Sequence, residues 1–394
     1  MKRIKSVIAL LLAFIMIFML AACNKPAETT ETTEEPKEEE AETTTEEPAE
    51  EPAEAEVTDY RDFTIDASKI PQEKLDTTLY LAVSVRGLEN PYIATIKVGM
   101  ELFAEYLDGI GQKYEMQVLD SGGSNDKEVD NMRQFAAKAD GNAIAYADPN
   151  ENSIAYSLAE AMAESGGYIG TAWNKPDDVG PEDLTPNWVI HTSPDNVING
   201  YEIAKALFDA QDGKGKIFVL EGMMGNTAAI DRAKGLDQAL AEYPDIEVVG
   251  RDTANWATAE ALTLVETWLN QNPDVGGIWC ANDNMATGAL QALDKAGLKG
   301  KVGVVGIDAN TDIVEAVASG DAVATVSSNG YLQGGYTLAI CYAAWTGLLD
   351  VEALPAEFRE FATPATVITG ENVAEFQSYS PDFDFSKPFG CKAD

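Results

Sequence analysis

Leu79-Tyr80-Leu81-Ala82-Val83 is a short apolar run of strand-prone residues, and beyond Pro91 the apolar positions Ile96, Met100, Phe103 and Leu107 recur at helical spacing. This predicts a strand followed by an amphipathic helix. The alternation repeats: Met116 to Leu119 ahead of Val129, Met132 and Phe135, then Ala143 to Tyr146 ahead of Ile154, Leu158 and Met162. A second series begins at Lys216-Ile217-Phe218-Val219-Leu220. It continues through Ile246-Glu247-Val248-Val249, Ile278-Trp279-Cys280-Ala281 and Val302-Gly303-Val304-Val305-Gly306, each ahead of a helix-like segment. Strands alternating with helices imply parallel sheets, and right-handed crossovers place helices on both faces. The expected fold class is α/β, with two doubly wound parallel-sheet lobes.

Upstream, Met1-Lys2-Arg3-Ile4-Lys5 is cationic, the run from Val7 to Leu20 is apolar, and the small residues Ala21 and Ala22 precede Cys23. That order is the plan of an export signal, and the apolar run falls short of the roughly 20 residues a membrane span needs. Leu20-Ala21-Ala22-Cys23 resembles the lipobox of bacterial lipoproteins. The resemblance implies a signal peptide over residues 1–22, lipidation at Cys23, and an extracytoplasmic chain held to the cell membrane only by its lipid. A plain signal peptide followed by a chance cysteine is the alternative. Residues 24–56 hold 14 Glu against Lys25 and Lys37, with Thr, Pro and Ala around them and no large apolar side chain. Such a stretch has too little to bury and its charges repel, so residues 23–57 are expected to be a disordered acidic tether.

Charge and residue counts exclude several classes of function. The formal net charge is -39, so nucleic acid and anionic surfaces meet repulsion in place of counterion release. A lone histidine, His191, does not furnish a multi-histidine metal site, and four cysteines, one of them Cys23, do not build a disulfide scaffold. Cys280 and Cys341 lie in apolar stretches and are expected as buried thiols, while the state of Cys391 is left open. No G-x-S-x-G, H-E-x-x-H or G-x-x-x-x-G-K-[ST] motif occurs. No catalytic residue, metal or cofactor is therefore expected.

Ligands of open α/β sheets sit beyond the carboxyl ends of the strands, so the residues just after each apolar run are informative. The first run leads to Ser84 and then Asn90-Pro91-Tyr92, and the stretch around Tyr168-Ile169-Gly170 leads to Trp173-Asn174. In the second series Asn255-Trp256, Asn282-Asp283 and Asp308 hold corresponding places. An aromatic face packs on the C–H side of a sugar ring, amides donate and accept, and an ionised Asp accepts from two hydroxyls at once. The mixture fits a neutral polyhydroxylated ligand. Taken singly each residue has a plainer role, Asn282-Asp283 and Asp308 as helix caps and Trp173 and Trp256 as partly exposed core aromatics.

With Ala281-Asn282-Asp283-Asn284-Met285-Ala286-Thr287-Gly288-Ala289-Leu290 and Val304-Val305-Gly306-Ile307-Asp308, roughly residues 78–349 resemble the ribose-type, type I periplasmic binding proteins that deliver sugars to ABC importers. LacI-type repressors share that fold, but here an export signal stands in place of a DNA-binding head. The resemblance implies ligand contacts from Asn90 and Tyr92 in the first lobe and from Trp256, Asn282 and Asp308 in the second. Where the family places an Asp-Arg pair this chain has Trp173-Asn174, and where the family has an arginine it has Ile230, with Arg232 two residues on. The family's glutamine is replaced by Ser328 or Asn329. Two charged anchors are thus missing, which implies a pentose other than ribose, a hexose or a sugar alcohol.

The family's three crossings would fall near Ser193-Pro194-Asp195, near Ser327-Ser328-Asn329 and within 359–362. They imply discontinuous lobes, 77–194 with 329–360 and 195–328 with 361–385, closing on the ligand about a hinge. The expected function is that of a monomeric, non-enzymatic receptor that passes a neutral sugar or polyol to an ABC permease. Two rivals stand beside it: a sugar sensor for a chemoreceptor or histidine kinase, and a surface glycosidase, which needs two carboxylates about 5 to 10 Å apart in one cleft.

Overall fold

The computed structural model describes residues 64–377 and 383–386. The expected signal peptide, Cys23, the acidic tether and Cys391 lie outside them.

Strand β1 (Leu79–Val85), which follows the short helix α1 (Gln72–Asp76), shows why a sheet covered on both faces forms. Leu79, Leu81, Val83 and Val85 enter one apolar cluster while Ala82 enters another, as a side-chain period of two requires when both faces are buried. With β2 (Tyr114–Asp120), β3 (Ala143–Ala147), β4 (Tyr168–Ala172), β5 (Trp188–Pro194) and β11 (Glu360–Thr363) it makes a parallel sheet in the order β11-β5-β4-β3-β1-β2. Helices α2 (Pro91–Ile110) and α10 (Gly330–Thr346) supply the first cluster, and α3 (Asn125–Ala139) and α4 (Ala155–Glu164) the second. Ile96, Met100, Phe103 and Leu107 are buried along α2, the face their spacing predicts. Helix α10 lies close against α2 because Gly334 has no Cβ; one there would strike the Ile96 carbonyl.

The second lobe is built on β6 (Lys214–Glu221), β7 (Asp245–Thr253), β8 (Gly277–Cys280), β9 (Gly303–Val305), β10 (Ala324–Ser327) and β12 (Thr366–Thr369). Their order is β12-β10-β9-β8-β6-β7, parallel except for β12, which runs antiparallel to β10. Helices α5 (Asn196–Ala210), α6 (Thr227–Glu242), α7 (Thr258–Leu269), α8 (Asp283–Ala296) and α9 (Thr311–Ser319) enclose one continuous apolar core. Cys280 and Cys341 are buried free thiols.

Chain crossings fall at Asp195, at Ser328-Asn329 and at Pro364-Ala365. The third comes later than expected. Residues 361–363, assigned to the second lobe on sequence, pair in β11 with β5 through Phe361↔Thr192, Ala362↔Ser193 and Thr363↔Pro194. The end of the chain also departs from the expectation. Val373 is buried in the second core and Phe376 packs on it, but Phe385 is buried in the first. There Phe385 meets Phe103, Tyr106 and Tyr336 edge-on, and its carbonyl accepts from the Ile65 N–H at 2.9 Å. Residues 383–386 therefore belong to the first lobe, where an aromatic cluster on α2 and α10 receives them. Ile65 and Ile70 are buried in the same core, so that lobe begins ahead of residue 77.

Candidate functional site

The carboxyl ends of both sheets face one interlobe cavity. Arg86 follows β1, Asn90 and Tyr92 open α2, and Trp173 follows β4. Across the gap stand Asn226 and Arg232 at the start of α6, Trp256 after β7, Asn282 after β8 and Asp308 after β9. Seven of the nine expected positions line the cavity: Asn90, Tyr92, Trp173, Arg232, Trp256, Asn282 and Asp308.

Asn174 and Asn329 do not line it. The Asn174 amide donates to the Pro149 carbonyl at 2.8 Å and its oxygen accepts from the Thr227 N–H of the other lobe at 3.2 Å, so it ties the lobes together. Asn329 sits in the second crossing with φ 50°, and its side chain caps α10 by accepting from the Leu332 N–H. Ser84 points elsewhere too: its hydroxyl donates to Glu128, whose carboxyl is pushed up to about 8 by burial.

Capping and cavity lining coincide at Asn90, Asn226 and Asn282. Each side-chain oxygen accepts a backbone N–H in the first turn of its helix, which fixes the rotamer. The Asn282 amide then reaches the Asp308 carboxylate at 3.4 Å. Behind it, buried Asp283 accepts from the Thr325 hydroxyl and from the Asn310 N–H at 2.8 Å, which braces the Asp308 loop. Trp173, Trp256 and Asp308 all have positive φ, at 67°, 62° and 130°. Three non-glycine residues in that region are costly, and such strain clusters where side chains must be aimed at a ligand.

The polar groups form a compensated set. Arg86 meets Asp148 at 2.9 Å, and Arg232 approaches Asp308 at 3.9 Å. Arg232 also donates to the Asn196 side chain and the Ala281 carbonyl, while its guanidinium lies 5.3 Å from the Trp173 ring centroid and 5.6 Å from that of Trp256. Tyr92 and Trp173 meet edge to face, and both donate to Gln333 Oε1, at 2.6 and 2.9 Å. Burial raises the Asp308 carboxyl to about 6, against the pull of Arg232 and Arg86. Burial likewise raises Asp148, which Arg86 opposes, and lowers Arg232. Two guanidinium groups thus face two carboxylates, an arrangement that suits an uncharged occupant.

Sequence reasoning missed Arg86, Asp148, Asn226 and Gln333. A signal existed for the first two, since each follows directly on the last residue of its strand, Val85 and Ala147. Gln333 is the amide behind the aromatic wall, one helical turn beyond Asn329.

Residues 81–348 match the family model described as periplasmic binding protein domain. The xylitol-binding protein of Mycolicibacterium smegmatis is 40% identical over 190 residues, 48% of this chain and about half, 52%, of that relative. The ribose import binding protein of Escherichia coli K12 is 32% identical over 249 residues, 63% of this chain and 78% of that one. A solved ABC transporter periplasmic solute binding protein from Actinobacillus succinogenes with bound D-allose superposes with a TM-score of 0.65 at 28% identity, covering 75% of this chain and 99% of that one. The order of strands in both sheets, the interlobe cavity and the extent of these matches agree: the chain belongs to the type I periplasmic binding protein family.

Proposed function

We propose that this chain is an extracytoplasmic receptor that captures a neutral sugar or sugar alcohol between its lobes and hands it unaltered to the permease of an ABC importer, tethered to the membrane by lipid on Cys23. The observation that carries the reading is the cavity's composition. Aromatic rings and amides from both lobes and the Asp308 carboxylate surround a space whose two arginines are matched by Asp308 and the buried Asp148. Rings cover C–H faces, amides and carboxylates take hydroxyls, and no net charge is left over to favour an ion. Asn90, Tyr92, Trp173, Trp256, Asn282 and Asp308 are the proposed ligand contacts. The relatives named for xylitol and ribose, and the neighbour with bound D-allose, support the same ligand class. Lobe closure suits delivery, because the contact of Asn174 with Thr227 exists only when the lobes meet.

Titration calorimetry of the mature chain against pentoses, hexoses and pentitols tests the proposal. Saturable 1:1 binding of a neutral polyol at micromolar affinity or better is expected. Binding of a nucleoside or an amino acid with no response to any polyol overturns it.

A further inference from the structure

Each chain crossing sends one hydroxyl to the same place. Thr192 stands three residues before the first crossing at Asp195, Ser328 lies in the second, and Thr363 directly precedes the third. Register pairs Phe361 with Thr192, and side chains alternate along a strand, so Thr192, Phe361 and Thr363 share the face of the sheet on which α10 packs. The three hydroxyl residues and Gln333 of α10 line a cavity at the hinge whose other walls are mainly apolar. Thr192 Oγ1, Ser328 Oγ, Thr363 Oγ1 and Gln333 Nε2 are all buried from solvent, and none has a partner among the described residues. Groups of this kind are few in a folded chain, because each has given up its bonds to water. The other end of Gln333 is engaged, its Oε1 taking the Tyr92 hydroxyl and the Trp173 indole. This is the arrangement with the lobes together, joined by Asn174 to Thr227 and by Asn226 to Asn150.

We infer that the hinge carries a built-in bias towards the open receptor: these polar groups are stranded while the lobes are together, and water reaches them when the lobes part. Ser328 and Pro364, which wall the cavity, belong to the crossings, and crossings are the segments that absorb the backbone change of a hinge motion. The inference adds to the receptor reading a device that keeps the empty cleft open, which the ligand's contacts must outweigh before the lobes stay closed. Each stranded group shifts the closed-to-open ratio by about fivefold or more. Apparent affinity falls by the fraction of empty protein that is closed, so the device weakens binding and hastens release, as delivery requires.

Thr192→Val, Ser328→Ala and Thr363→Val remove the stranded hydroxyls with little change of shape, and none of these residues lines the ligand cavity. A substitution away from a binding site ordinarily leaves affinity alone or lowers it; here the opposite is expected. Calorimetry of the whole chain with the tightest-binding polyol should show each variant binding about fivefold tighter, with correspondingly slower dissociation. Small-angle X-ray scattering should find the empty wild type more extended than its bound form and the empty variants more compact than the empty wild type. Thr346→Val is the control, a buried hydroxyl of α10 already bonded to the Tyr342 and Ala343 carbonyls, and it should not tighten binding. Unchanged or weaker affinity in the hinge variants, an empty wild type as compact as the bound form, or equal tightening in the control overturns the bias. Should one variant not fold, the other two decide. If no polyol binds the wild type the receptor reading falls, while scattering from the empty variants still judges the hinge.

Discussion

Ligand affinity is expected to fall in mild acid because of Asp308. Burial raises this carboxyl from 3.8 to about 6, opposed by Arg232, Arg86 and the Asn282 amide and reinforced by the charge of Asp148. The folded chain therefore holds the proton more tightly than the unfolded one. Burying the ionised group costs stability; the cost is absent below the unfolded value of 3.8, grows as pH rises to about 6, and stays near 3 kcal/mol above it. A ligand whose hydroxyls donate to the carboxylate restores the solvation that burial removed, so it binds the ionised form. With a carboxyl at about 6, roughly nine-tenths of the empty protein is competent at pH 7 and about one-eleventh at pH 5, and the apparent Kd rises about tenfold. Calorimetry of one polyol at pH 7, 6 and 5, in buffers of different ionisation heat, should also record proton release that grows near pH 6. Asp308→Asn should bind more weakly at pH 7 but lose this pH dependence, which separates Asp308 from Asp148. Constant affinity without proton release from pH 7 to 5 in the wild type would refute the reasoning.

Three further outcomes are expected. Gly222→Ala places a Cβ where the Trp256 ring lies, so the ring must leave the cavity wall and affinity should drop about tenfold or more; native affinity in this variant, by calorimetry, shows that the ring is not a ligand contact. Asn174→Ala removes the interlobe bond to Thr227 without touching the cavity lining, so dissociation measured by stopped-flow tryptophan fluorescence should quicken about fivefold, and an unaltered rate refutes the latch. His191, the sole histidine, has its imidazole pushed down to about 3 by burial and by Lys175, so its NMR signal should not titrate between pH 8 and 5. The sign here is that of a base lowered on folding: full stability above about 6.5, then a loss of about 1.4 kcal/mol per pH unit that ends at about 3. The Thr171 oxygen accepts from the Trp188 indole at 3.0 Å and lies 2.8 Å from His191 Nδ1, which ties the imidazole into the buried side of the sheet. A midpoint near 6.5 contradicts this environment.

The cavity-lining residues divide by how their positions are set. Tyr92, Trp173, Trp256, Asn282 and Asp308 were legible because the strand–helix alternation marks where each strand ends, and the next residues must face the crevice of an open parallel sheet. The Arg86–Asp148 pair was not, because residues 62 apart become neighbours only through the order β3-β1-β2. Ser328 or Asn329 was expected in the place of the family's glutamine, yet Asn329 caps α10, and Gln333, one helical turn on, is the amide that holds Tyr92 and Trp173. The lobe assignment of residues 361–363 depended likewise on which sheet edge their strand joins.

By itself the sequence determined the elements, their two series and the ends at which polar and aromatic side chains gather, because burial periodicity and the stops between apolar runs are local properties of the chain. Tertiary structure alone decided which charges meet, which amides cap and which reach the cavity, and where the tail comes to rest. Those outcomes follow from the lateral order of strands and the docking of α10 on α2, contacts between residues far apart in the chain that no local pattern encodes.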